Sequence, residues 1–395
     1  MIKVGFWYDY GQEYSGGLNY FRNLLYSISQ VNDNRIKPYL FIGSDVNQKI
    51  IDEFSLYVTV ITIDILTKYT VRWFFHRVLF RLFRSQIMVK AELKKYDISV
   101  VSHGSMIVKD VLPTRLVSWI PDFQYLHLPE YFPGLDLNKR SVQLKELFDA
   151  SDIVILSSHS ALKDFLSIAS NDAIQKAKVL HFASRSTLNN ANIVKFSREY
   201  LEEKFCFTGK FFFLPNQFWQ HKNHIVVAEA VLLLKKRGKF VRVICTGSLD
   251  DPWDKDSTTA KKFLKFLKDN DLEEHIKVLG LIELEEVYGF LRNSIALLNP
   301  SFFEGWSTSV EEARSINKKS ILSNIDVHLE QDPLNAVYFD PKDPAMLSNL
   351  MEEVWNKNDS QIASLEIDSF NDQRARIIKF GERYIEILEE LQSKS

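Results

Sequence analysis

The chain from Pro300 reads Pro-Ser-Phe-Phe-Glu-Gly-Trp-Ser-Thr-Ser-Val-Glu-Glu-Ala-Arg-Ser-Ile-Asn-Lys-Lys-Ser, ending at Ser320. The apolar run 295–298 precedes it and has the length and composition of a buried strand. Pro300 and Gly305 then break the chain. Thr308 with Glu311, or equally Ser309 with Glu312, fits a capping box. The expectation is strand, tight loop, helix N-terminus. A helix N-terminus offers backbone N–H groups and a positive dipole end, which suit a phosphate or a sugar hydroxyl. Glu304 falls in the loop and Glu312 in the first helical turn. Taken locally, Glu311 and Glu312 also read as first-turn caps, and Glu304 as a solvated loop acid.

Strand and helix signals alternate outward from this stretch. Residues 2–8, 39–42, 58–63, 98–102, 115–120 and 152–156 are strand-like, and 18–28 and 66–95 have helical spacing. In the second half, 210–214, 241–247, 276–280, 320–323 and 337–339 are strand-like, with helices at 225–237, 258–269 and 284–292. This order predicts an α/β protein with parallel sheets covered on both faces. A polar, irregular stretch at 183–202 marks the expected boundary. The domains are expected at 1–190 and 205–371, both doubly wound and Rossmann-like. An amphipathic helix closes the chain. A length of 395 residues suits two such domains.

Composition narrows the class. The apolar share is 46% and the charged share 25%, ordinary for a soluble globular protein. A net charge of −2 gives no broad nucleic-acid signature. Cys206 and Cys245 have no metal spacing and fit a reducing compartment. The N-terminal residues lack a signal-peptide core, and no uncharged apolar run reaches spanning length. The expected location is cytoplasmic, with a peripheral place at the inner face of the plasma membrane left open.

Several loops after expected strands carry candidate binding groups. Gly11, Gly16 and Gly17 follow the first strand; they do not form a dinucleotide fingerprint, and they fit either a close approach to a ligand or a plain turn. Residues 119–132 read Trp-Ile-Pro-Asp-Phe-Gln-Tyr-Leu-His-Leu-Pro-Glu-Tyr-Phe, a polar and aromatic loop holding Asp122 and His127. Residues 215–224 read Pro-Asn-Gln-Phe-Trp-Gln-His-Lys-Asn-His and place Lys222 before a helix, with Asn216 and Gln217 just after the strand.

The 66–90 stretch is basic and aromatic. It carries Lys68, Arg72, Arg77, Arg81, Arg84 and Lys90, with no acid between Asp64 and Glu92. Such a helix suits an anionic membrane surface or a lipid pyrophosphate. A core helix with snorkelling arginines fits equally well.

The order Pro-Ser-x-x-Glu-Gly, with a second Glu eight residues after the first, resembles the Glu-x7-Glu motif of family-4 retaining glycosyltransferases. The resemblance extends over nearly the whole chain. It implies the GT-B fold, two domains facing across a cleft, with the 372–395 helix packed back on the first. It implies transfer of a hexose from a nucleotide-diphosphate sugar to a hydroxyl of a glycan or polyprenyl-linked acceptor, as in O-antigen or capsule biosynthesis. On that basis Glu304 contacts the donor sugar and Glu312 the ribose. Lys222, with the amides near Ser307, Thr308 and Ser309, carries the phosphate charge, and Trp306 either shapes the sugar pocket or simply packs. Gly16, Gly17 and His127 lie on the acceptor side, and Asp122 is the acid opposite the donor. No metal is implied.

Two positions depart from the family pattern. The His usual before Asp122 is absent, and Asn216 stands where an Arg is usual. A non-catalytic sugar-nucleotide or polysaccharide-binding subunit and a GT-B-like epimerase are the competing expectations.

Overall fold

The structure is a computed structural model. It describes residues 1–8, 15–31, 33–83, 85–103, 114–132, 136–185, 196–254, 256–357 and 366–393. Gly11, Arg84 and the expected boundary at 190 lie outside these.

The chain forms two compact units. The first comprises Met1–Phe123, Asp136–Ala183 and Arg374–Ser395. Its seven strands are β1 (Ile2–Trp7), β2 (Ile36–Ile42), β3 (Thr59–Thr62), β4 (Val100–Ser102), β5 (Arg115–Ile120), β6 (Ile153–Leu156) and β7 (Ala177–Val179). They pair in parallel in the order β3-β2-β1-β4-β5-β6-β7. The closing helix, Glu366–Ser393, is anchored here: Tyr384 is fully buried and its hydroxyl donates to Ser102 Oγ at 2.7 Å. Gly381 lets this helix approach the Ser27 backbone, where any Cβ would collide.

The second unit comprises Gln124–Leu135 and Ser184–Gln373. Its strands are β8 (Phe212–Leu214), β9 (Val243–Cys245), β10 (Ile276–Val278), β11 (Ala296–Asn299), β12 (Ser320–Ser323) and β13 (Ala336–Phe339). All pair in parallel, in the order β10-β9-β8-β11-β12-β13. Counted from β8, that is the 3-2-1-4-5-6 order of a doubly wound nucleotide-binding sheet. Successive residues supply opposite faces. Phe212 and Leu214 pack with Val227 and Val231 on one side, while Phe211 and Phe213 pack with Phe290 and Val310 on the other. Both faces are dry, as a parallel sheet requires.

Some boundaries differ from the sequence expectation. Gly16 and Gly17 were expected in a loop but lie in the first turn of the Ser15–Gln30 helix. First-turn amides have no intrahelical partner in any case, so the apolar spacing from Leu18 carries the helix back through them. The basic stretch forms two helices, Val71–Phe83 and Ile87–Lys95. The apolar run at 179–182 reads in sequence as a strand, whereas the strand is Ala177–Val179.

Candidate functional site

In an open α/β sheet the crevice for a ligand lies beyond the strand C-termini, where strand order reverses. In the second unit that point is between β8 and β11. The loop after β8 holds Asn216 to Asn223, and the loop after β11 holds Pro300 to Ser307. Adjacent parallel strands bring these loops together although their key residues stand 82 positions apart.

Lys222 and Glu304 meet there. Lys222 Nζ donates to Glu304 Oε1 at 2.7 Å and Oε2 at 2.8 Å. Lys222 sits at the end of a single 3-10 turn, Gln220–Lys222, and Asn223 follows in the left-handed region. Asn223 Nδ2 fixes that turn by donating to the Pro300 and Pro341 carbonyls at 3.1 and 2.8 Å. The turn is tied to the Glu304 loop a second time, by Phe302 N–H to the His221 carbonyl at 2.8 Å. The Ser301 hydroxyl lies 2.7 Å from both Glu304 Oε1 and Asn299 Oδ1. It has one proton, and the carboxylate is the stronger acceptor.

Burial works to raise the Glu304 carboxyl. The Lys222 ammonium, with His328 and His221 nearby, more than offsets it and takes the group down to about 2. At neutral pH the imidazoles around the pair are uncharged. Burial lowers His221 and His224 to about 3 and His328 to about 4. His328 Nδ1 lies 2.9 Å from the Ser323 carbonyl, so it carries the proton, and its buried Nε2 has no partner among the described residues.

The Thr308–Ser315 helix starts after Ser307, but the expected capping box does not form. Asn299 takes its place as the organiser. This fully buried amide donates to Ser307 Oγ at 2.9 Å and Ser309 Oγ at 3.2 Å, and accepts from Asn216 Nδ2 at 3.3 Å. Gln331 completes the cap: its Oε1 accepts from Ser307 N–H at 3.2 Å and its Nε2 donates to Glu311 at 3.2 Å. Glu311 is therefore structural. The Thr308 and Ser309 amides remain at the helix start, where backbone N–H groups have no intrahelical acceptor. Glu312 is buried one turn in, and burial pushes its carboxyl up to about 7 against a hydrogen bond from the Tyr288 hydroxyl at 3.2 Å.

The remaining predicted residues fall as follows. Gln217 braces the scaffold, accepting from Ser248 N–H at 2.5 Å. Trp306 is half-buried beside Ser307. His127 is exposed, with its ring 5.1 Å from that of Phe303 in the Glu304 loop. Asp122, Gly16 and Gly17 belong to the first unit, Asp122 two residues beyond β5. Asn299, Ser301, His328 and Gln331 were missed, because polar residues among apolar ones leave no periodic mark. Gly247 was read only as the end of a strand; it holds φ +132°, and any Cβ there would strike the Asn216 carbonyl. A cavity of about 440 Å³ lies on the same unit, lined by Gln220, Asn223, Asp251, Trp253 and Tyr131 among others, but not by Lys222 or Glu304.

Lys222, Glu304 and Glu312 fall within one segment of the chain. Residues 202–375 match the family model of glycosyl transferases group 1. The match takes in all three of those residues. No curated protein matches the sequence. Among solved structures, the chain is similar to Anabaena Alr3699/HepE in complex with UDP-glucose, at 14% identity over all of both chains, with a TM-score of 0.70. It is similar to a sucrose-phosphate synthase from Thermosynechococcus elongatus, at 14% identity over all of both chains and a TM-score of 0.68. It is also similar to a glycosyltransferase from Rickettsia africae, at 12% identity over 100% of this chain and 99% of that one, with a TM-score of 0.66. These likenesses show the fold, two Rossmann-like α/β units of the GT-B type.

Proposed function

We propose that the protein transfers a hexose from a nucleoside-diphosphate sugar to a hydroxyl of a glycan or lipid-linked oligosaccharide, with retention at the anomeric carbon. The observation that carries this is the buried Lys222–Glu304 pair at the switch point, inside the segment similar to glycosyl transferases group 1. A buried ion pair adds little stability compared with apolar packing, so stability alone does not account for it. A site for a diphosphate and a hydroxyl does.

Without donor, Lys222 and Glu304 neutralise one another. A donor diphosphate competes for the ammonium and releases Glu304 to accept a sugar hydroxyl and orient the ring. As the bond from the anomeric carbon to the phosphate oxygen breaks, its electron pair goes to the diphosphate. Lys222 and the Thr308 and Ser309 amides stabilise that charge where it develops. The acceptor oxygen bonds to the anomeric carbon on the same face, and its proton passes to the leaving phosphate. Glu312 receives the ribose hydroxyls. No metal enters this scheme, so chelation leaves the rate unchanged.

Support for a nucleotide-sugar donor comes from Alr3699/HepE, solved with UDP and with UDP-glucose. The resemblance of residues 119–124 and 215–224 to bacterial surface-polysaccharide enzymes supports O-antigen or capsule assembly, with Asp122, His127, Gly16 and Gly17 on the acceptor side. The acceptor would then be met at the inner face of a membrane. A second reading, binding without transfer, draws on Asn216, which places an amide bonded to Asn299 where the family has a cation.

The test is product analysis with labelled nucleotide sugars and polyprenyl-linked or glycan acceptors. Transfer by the wild type that Glu304→Ala abolishes supports the proposal. Binding without product in every pairing favours the second reading, and a changed sugar without an acceptor product favours an epimerase.

A further inference from the structure

The Val71–Phe83 helix has no buried residue along its 13 positions. At about 100° per residue, Val71, Phe74, Phe75, Val78 and Leu82 share one stripe, the spacing that ordinarily faces a core. Here four of the five face outward, and Val78 is half-buried. Val71 is 72% exposed, Phe74 59%, Phe75 57% and Leu82 67%, while Trp73, His76 and Phe80 on the opposite side are half-buried. Arg77 and Arg81 run along one margin of the stripe and Arg72 along the other, all exposed. Arg72 is held by Glu92 at 3.0 Å, and the Arg77 guanidinium lies over the Trp73 ring at 5.2 Å. No acid lies between Asp64 and Glu92.

We propose that this face docks on an anionic bilayer surface. Phe74, Phe75 and Leu82 enter the boundary between headgroups and acyl chains, and Arg77 and Arg81 meet lipid phosphates. The helix is too short to span, and no helix among the described residues is long and apolar enough to do so. A second copy of the chain would also cover an apolar stripe. A two-fold contact through this face, however, sets arginine margins against arginine margins with no acid on the helix to answer them. Charge complementarity therefore favours the anionic surface. The inference rests on this helix alone and is independent of glycosyl transfer.

The test is flotation of the full chain with vesicles of equal parts phosphatidylcholine and phosphatidylglycerol, and with phosphatidylcholine alone. The wild type is expected to float with the anionic vesicles, less so at high salt and less with the neutral ones. Phe74→Ser/Phe75→Ser should lower partitioning at least about tenfold. Arg77→Gln/Arg81→Gln should lower it about fivefold per arginine on anionic vesicles and leave the neutral ones unchanged. Leu82→Ser, at the far end of the stripe, gives an independent loss, and these exposed substitutions should leave the melting temperature unchanged. A wild type that floats with neither vesicle overturns the proposal, as does an arginine variant that floats as well as wild type. A concentration-dependent dimer, broken by Phe74→Ser/Phe75→Ser and seen without flotation, assigns the face to a second copy and overturns it too.

Discussion

Lys222→Met removes the ammonium and leaves Glu304 buried, with the Ser301 hydroxyl but without either bond to Nζ. The side chains of Lys222 and Glu304 are only 15% and 8% exposed, so solvent screens little of the effect. In the wild type the carboxyl is drawn from 4.5 to about 2. That shift is worth about 3 kcal/mol of folding free energy. Its sign is that of a lowered carboxyl: the contribution is complete above 4.5 and is lost as pH falls toward 2. In the variant, burial acts with far less opposition and raises the same carboxyl above 4.5. Stability then declines as pH rises through the raised value. The gap between wild type and variant should therefore widen from acid toward neutral pH, reaching about 3–5 kcal/mol. Urea unfolding at a series of pH values, followed by tryptophan fluorescence, measures it. Adding Glu304→Gln to the variant removes the stranded charge and should recover at least half the loss. A gap independent of pH, or a double variant no better than the single one, refutes the argument.

Two further outcomes follow from the same loops. Glu312 is held up to about 7, so its contribution has the opposite sign: stability is complete below 4.5 and declines as pH rises through about 7, by about 3 kcal/mol in all. Glu312→Gln should flatten a melting-temperature profile between pH 4.5 and about 7, and an unchanged slope there contradicts the raised, buried carboxyl. Gly247→Ala forces a side chain into φ +132° and against the Asn216 carbonyl, and should lower the urea midpoint by an amount equivalent to about 1–3 kcal/mol or more. A neutral result would show that the two loops do not pack as described.

Much of the fold was legible because parallel strands buried on both faces announce themselves as short apolar runs. The strands Arg115–Ile120 and Ser320–Ser323 and the Thr258–Asp269 helix lie where the pattern put them. What the pattern cannot carry is choice among polar partners. Thr308, Ser309, Glu311 and Glu312 spelled a capping box, but Asn299 and Gln331 took the hydroxyls and the Ser307 amide. Nothing local distinguishes Glu311, which turns to Gln331, from Glu312, which turns to Tyr288. Lys222 and Glu304 were singled out by resemblance. Their contact follows from sheet order, which the sequence does not state. For the 66–90 stretch the sequence left a membrane-surface helix and a core helix equally open, and only burial tells the two apart.

The central claim is that Lys222 and the start of the Thr308–Ser315 helix hold a nucleoside diphosphate. The direct measurement is a thermal-shift panel of GDP, UDP, dTDP and CDP against wild type and Lys222→Met. Ligand at about a hundred times its dissociation constant stabilises the folded state by about 3 kcal/mol, a shift of several degrees. The account predicts that one of the four raises the wild-type melting temperature and that the variant loses most of that shift. A folded wild type that none of them stabilises, or a shift the variant keeps in full, would contradict it.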